Sequence, residues 1–194
     1  FEQAFDALDK AKSKRLSDLQ YCFAQDKEMY ESIVDVFSDI NIDFSMGCNS
    51  DQPIFVVGMP RTGTTLVERI ISNHTEVKSV GELHNFELLL KQLAKLDDPK
   101  LTSKAQMLAA TKVDFNELGN TYIESVKPLT GGKHKFVDKL PLNILLAGFI
   151  AKALPNCKII CLDRAPLDTI VSNYRQMFSP DYAYCHYSNS LENT

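Results

Sequence analysis

Ile54-Phe55-Val56-Val57-Gly58-Met59-Pro60-Arg61-Thr62-Gly63-Thr64-Thr65 decides the reading of this chain. An apolar, β-branched run meets a glycine-bearing loop, and a helical pattern follows at once. Gly58 and Gly63 let the backbone turn sharply and approach a ligand with no Cβ in the way. The amides of residues 61–65 are then expected to form a concave nest of donors, reinforced by the positive dipole end of the helix. Thr62, Thr64 and Thr65 bring hydroxyls, and Arg61 brings a planar fork suited to a tetrahedral oxyanion. Each charge-assisted bond contributes roughly 1.5–3 kcal/mol, so a handful can hold a dianion. The plain alternative is a strand–turn–helix corner built from ordinary turn residues.

The glycine spacing is that of the Walker A loop, but Gly63-Thr64-Thr65 stands where that loop has Gly-Lys-Ser/Thr. The cation is Arg61, two residues ahead of the second glycine. A nucleotide anion fits this loop. A γ-phosphate with Mg²⁺ is disfavoured, because the lysine that reaches it is absent.

Outward from the loop, the composition bounds the answer. The 194 residues, 44% hydrophobic, suffice for one α/β domain with a substantial core. A net charge of −4 disfavours a dedicated nucleic-acid binder. The five cysteines, at 22, 48, 157, 161 and 185, have no zinc-finger spacing. Cys157 and Cys161 are expected as buried thiols in a strand, and a reducing, cytoplasmic setting is the default. No apolar run approaches the ~20 residues of a membrane span. The chain opens on Phe1 and closes on the polar Leu191-Glu192-Asn193-Thr194, so it reads as a piece of a longer protein.

Helical periodicity covers residues 2–21, and a second helix is expected over 26–38, capped by Asp26. Residues 45–52 read as a turn-rich linker. The first strand is expected at 53–58 and its helix at 63–73. A short extended piece, 77–80, leads to Gly81-Glu82. Helical patterns follow at 84–96 and 102–126, the latter restarted at Asp114-Phe115-Asn116-Glu117. Gly131-Gly132 breaks the chain before a strand at 135–138. Pro141 suits the first position of a helix over 141–153. A buried strand at 157–162 and a helix at 166–177 complete the pattern. Alternating strands and helices predict an α/β fold, a P-loop-like parallel sheet flanked by helices, preceded by an N-terminal helical connector. In such sheets ligands gather at the carboxyl ends of strands. There the three strands deliver Arg61, Asp138-Lys139 and Asp163-Arg164.

These segments resemble the sulfotransferase superfamily, whose members move a sulfonate group from 3′-phosphoadenosine 5′-phosphosulfate (PAPS) to an acceptor hydroxyl or amine. Pro60-Arg61-Thr62-Gly63-Thr64-Thr65 resembles its 5′-phosphosulfate loop. Leu162 through Ser172 resembles its 3′-phosphate segment, with Arg164 ending a strand and Ser172 in the next helix. Gly81-Glu82 and Asp138-Lys139-Leu140-Pro141 are similar to the branch of protein-tyrosine sulfotransferases and bacterial sulfotransferases linked to tetratricopeptide repeats. The resemblance implies a helical connector over 1–45, the end of a repeat region, and a transferase domain over 53–194, truncated at its C-terminus. It implies PAPS as donor, adenosine 3′,5′-bisphosphate as product, no metal, and a protein tyrosine, carbohydrate or small molecule as acceptor. Two positions depart from the pattern: Gln176 stands where the family usually has an arginine, and Ala165 where it has a histidine.

By that resemblance Glu82 is the general base, Lys139 stabilises the departing phosphate and Arg61 holds the sulfonate in transit. Pro60, Arg61, Thr62, Gly63, Thr64, Thr65, Arg164 and Ser172 bind the donor. Without it, Glu82 reads as an exposed carboxylate at a helix start, Lys139 as a surface cation and Ser172 as a solvent-facing serine. Asp138 and Asp163 are either orienting groups or solvated strand-end carboxylates. Two other classes remain open: a P-loop kinase or NTPase, and a non-catalytic nucleotide-binding interaction module.

Overall fold

The computed structural model describes residues 2–19, 21–39, 46–97, 103–180 and 182–194. Residues 40–45, at the end of the expected connector, and 98–102, which include the Asp98-Pro99 break, lie outside them. The chain forms two compact units, one of Glu28–Asp163 and one of Phe1–Lys27 with Arg164–Thr194.

The first unit is built on a four-stranded sheet in the order β2-β3-β1-β4, with every pairing parallel. The strands are β1 (Pro53–Gly58), β2 (Val77–Gly81), β3 (Lys135–Asp138) and β4 (Lys158–Leu162). The α-helices are α1 (Glu2–Leu19), α2 (Phe23–Asp39), α3 (Thr64–Ser72), α4 (Asn85–Leu93), α5 (Lys104–Ala110), α6 (Phe115–Val126), α7 (Ala147–Ala153) and α8 (Pro166–Tyr174). The expected α/β architecture is therefore present. β1 is central because its residues Phe55, Val56 and Val57 are wholly apolar and wholly buried, as a strand covered on both faces requires. An aromatic cluster sits against it: Tyr122 of α6 stacks on Phe55 at 5.6 Å and meets the edge of Phe86 at 5.5 Å.

Several expectations change. Among the described residues β4 pairs only with β1, at the edge of the sheet; it is not buried and Cys161 is exposed. An apolar run cannot tell a central strand from an edge one, since pairing is not written in the run itself. The second helix starts at Phe23, so Asp26 lies inside its first turn and accepts a hydrogen bond from the Tyr21 hydroxyl (2.8 Å) rather than capping it. The helix expected at 141–153 is a 3₁₀ helix over Pro141–Leu146 that passes into α7. The pattern at 102–126 splits into α5 and α6. Asp114 caps α6, its Oδ1 accepting from the amides of Asn116 (2.9 Å) and Glu117 (3.0 Å).

In the second unit the most buried residue of α1 is a lysine. Lys12 donates to the backbone carbonyls of Gln176 (2.7 Å) and Ser188 (2.9 Å). Its ammonium lies 5.6 Å from the ring centre of Tyr174, whose hydroxyl donates to Asp9 (2.7 Å).

Candidate active site

The carboxyl ends of β1, β2 and β3 lie on one side of the sheet because all three run parallel. β1 delivers the glycine loop there. Gly58 has φ 143°, and a Cβ at this position would stand 2.6 Å from the Leu162 carbonyl oxygen of β4. Only glycine allows the chain to leave the sheet so close to its neighbour. Gly63 has φ 105° and caps α3, with open space where a Cβ would point. Its carbonyl accepts from the amides of Leu66 (3.0 Å) and Val67 (3.2 Å). The amides of Thr64 and Thr65 thus precede the first helical bond, at the positive end of α3. Arg61 holds φ 70°, a left-handed conformation uncommon for a residue with a side chain. The Thr62 hydroxyl donates to the Met59 carbonyl at 2.7 Å, closing the loop on itself instead of serving as an outward donor.

Pairing between β2 and β3 brings the next two groups together. A bulge between Ser79 and Gly81 shifts the register so that Gly81 pairs with Asp138. The Lys139 amide then donates to the Gly81 carbonyl (2.9 Å). The following residues, Glu82 and Lys139, emerge side by side, and the Lys139 ammonium hydrogen-bonds the Glu82 carboxylate. Glu82 is the more open of the two, its side chain 44% exposed against 9% for Lys139.

A second carboxylate faces the same ammonium. Glu68 Oε2 of α3 stands 3.8 Å from Lys139 Nζ, and Glu68 Oε1 accepts from the Ser79 hydroxyl of β2 at 2.5 Å. Sequence reading did not single out Glu68. Its signal was available only as a spacing: it lies one turn beyond Thr64, on the face of α3 that the loop shares.

Asp138 is not solvated. It is fully buried, and its Oδ2 accepts from the Tyr122 hydroxyl of α6 at 2.6 Å. Oδ1 is buried with no hydrogen bond of normal geometry. Burial pushes the Asp138 carboxyl up to about 7; the Tyr122 hydroxyl and Leu83 amide oppose the rise, and Glu68 and Glu82 add to it. Burial, and then the charge and hydrogen bond of Asp138, raise the Tyr122 phenol well above its usual range.

Arg164 and Ser172 belong to the other compact unit. Arg164 precedes α8 and pairs with Asp168 at 3.5 Å; Ser172 is half-buried on α8. His74 and His84 are exposed, and His84 precedes α4 without a side-chain cap. Among the described residues no group of three His, Cys, Asp or Glu side chains is arranged to hold a metal ion. No helix among them is long and apolar enough to cross a membrane.

The glycine loop that caps α3, the arginine in that loop, and the lysine–glutamate pair lie at the carboxyl ends of adjacent strands of a parallel sheet. Residues 53–194 match the model of the sulfotransferase family, and the chain belongs to that family. An uncharacterized protein of Aquifex aeolicus (strain VF5) is 32% identical over 186 residues, covering 92% of this chain. The chain spans only 24% of that relative's length.

Proposed function

We propose that this chain carries the donor site and the proton-handling groups of a sulfotransferase that uses PAPS and sulfonates an acceptor hydroxyl. The observation that carries the reading is the Lys139 ammonium set between Glu82 and the helix that the glycine loop feeds. The donor set suits a phosphosulfate: amides at a helix N-terminus, an arginine, a lysine, and open space at Gly63 where a Cβ would stand. Arg61, Thr64 and Thr65 would hold its 5′ end. Bound PAPS supplies an electrophilic sulfur and a phosphate leaving group.

The chain's own residues supply the rest. Glu82, half open to solvent, accepts the proton of the acceptor hydroxyl. Lys139 neutralises negative charge as it gathers on an oxyanion, and Arg61 steadies the sulfonate oxygens. One oxygen of Glu82 touches Lys139, which leaves the other oxygen of the carboxylate to face an acceptor. We take residues 53–194 as the transferase domain and 1–45 as its helical connector, following repeats in the whole protein. The similarity to the tyrosine-modifying branch makes a protein tyrosine the first acceptor to try, ahead of carbohydrate and small-molecule hydroxyls.

The test is thermal stability of the full-length protein with adenosine 3′,5′-bisphosphate, against ADP–Mg²⁺. Ligand at about 100 times its Kd adds roughly 2.7 kcal/mol. A rise in Tm with the bisphosphate alone is the expected result. A rise only with ADP–Mg²⁺ points to phosphoryl chemistry and ends this reading, as does a silent response to both.

A further inference from the structure

Helix α3 inverts the usual pattern. Leu66 and Ile70 are 64% and 65% exposed, while Glu68 between them is buried. Burying a carboxylate is costly unless it is paired and hydrogen-bonded. Each oxygen of Glu68 has a defined role in meeting that cost: Oε1 is fixed by Ser79 at 2.5 Å, and Oε2 faces Lys139 at 3.8 Å. The latter separation exceeds a hydrogen bond, so the attraction is Coulombic and a short shift of the ammonium closes it. Lys139 thus has two carboxylate partners, one open and in contact, one buried and held still by β2.

We propose that Glu68 is a positioning residue for Lys139, anchoring the ammonium at the strand ends while Glu82 accepts a proton. The proposal rests on the assignment of Glu82 as base. Once Glu82 takes a proton it loses its charge, and Glu68 is then the carboxylate left beside the ammonium. With Glu68 behind it, the ammonium stays at the strand ends whichever partner it contacts. Ser79 matters because its hydroxyl stops Glu68 from turning away, and it sits at the bulge that sets the Gly81–Asp138 pairing.

The experiment is acylation footprinting of lysines by mass spectrometry on the full-length protein, using a small amine-reactive acetyl ester. Lys139 is expected to react slowly in the parent. In Glu82→Gln its rate changes by less than about twofold, because Glu68 still holds it. In Glu68→Gln it rises by about fivefold or more, and Ser79→Ala falls between. Lys91 and Lys12, both buried and far along the chain, serve as internal references and stay protected. A general loosening that exposes Lys91 along with Lys139 would mean Glu68 is only a packing residue. Faster labelling in Glu82→Gln than in Glu68→Gln would overturn the proposal. Ser79→Ala removes a single hydroxyl and decides the matter if Glu68→Gln does not fold. Where transfer is measured, Glu68→Gln lowers kcat about tenfold with the KM for PAPS unchanged, and adds nothing in a Lys139→Met background. If the bisphosphate fails to stabilise the parent, the PAPS-dependent reading falls, while the labelling result still decides where Lys139 is anchored.

Discussion

Lys12 and Lys139 are both buried, and their partners differ in kind. Lys12 is held by two neutral backbone carbonyls, of Gln176 and Ser188. Burial, and then the charge of Arg15, lower its ammonium to about 8 from the usual 10.5. Lys139 is held by side-chain carboxylates on two different elements. Carbonyls satisfy the geometry of an ammonium without matching its charge, and they cannot move without moving the backbone, so Lys12 works as a staple. Carboxylates match the charge and sit on rotatable side chains, so Lys139 can be passed between partners. The contrast teaches that burial of a lysine is no guide to its role; the charge and freedom of what it touches are.

Four experiments bear on that contrast, taken in descending order of effect. Glu82→Gln removes the proton acceptor while keeping the shape, and sulfonate transfer is expected to fall by about 10³-fold with bisphosphate binding retained. A rate within a few-fold of the parent would remove Glu82 from the chemistry. Lys139→Met should cost transfer about 10²-fold, the scale of losing one oxyanion donor, again with the bisphosphate-induced Tm shift preserved. Loss of folding in Lys139→Met, with no separable effect on rate, would make Lys139 a staple like Lys12.

Lys12→Met should leave donor-site chemistry alone and lower stability by about 2–3 kcal/mol, because two carbonyls lose their donor. Its sign with pH is distinctive. The folded value of about 8 lies below the usual 10.5, so the unfolded chain binds the proton more readily. The ionisation-linked part of this group's contribution is largest above pH 10.5 and is lost as pH falls through 8, while the two donated bonds persist in either form. Denaturant melts across this range should show that slope in the parent and not in Lys12→Met.

The smallest effect concerns Asp138. Its folded value of about 7 lies above the usual 3.8, so the folded state holds the proton more tightly. Stability from this group is complete below pH 3.8 and is lost as pH rises through 7. Asp138→Asn retains an acceptor for Tyr122 and should flatten that slope; an unchanged slope would show that the carboxyl is ionised within the fold.

Much of the site was legible in the residues. Gly58 and Gly63 carry positive φ at the two turns where their lack of a Cβ mattered, and α3 begins at the threonine after the loop. Glu82 and Lys139 were legible as separate strand-end groups. Three features were not. Glu68 reads as an ordinary helix-surface carboxylate, because helical period identifies a face but not which face is buried, and Leu66 and Ile70 point the period the wrong way. Asp138 reads equally as an orienting group or a solvated carboxylate, because nothing local announces that Tyr122 covers it. β4 reads as buried, because its apolar run resembles that of β1 although only one neighbour pairs with it.

The strand–loop–helix corner, its glycine turns and the chemical groups at each strand end follow from the amino acids alone. Those depend on side-chain shape and on residues a few positions apart. Only the tertiary structure decided that β2 and β3 lie side by side with a bulge, which joins Glu82 to a lysine 57 residues away and brings Glu68 in behind it. Strand order and register are set by pairing between distant segments, and one residue's shift of register would turn these side chains to opposite faces.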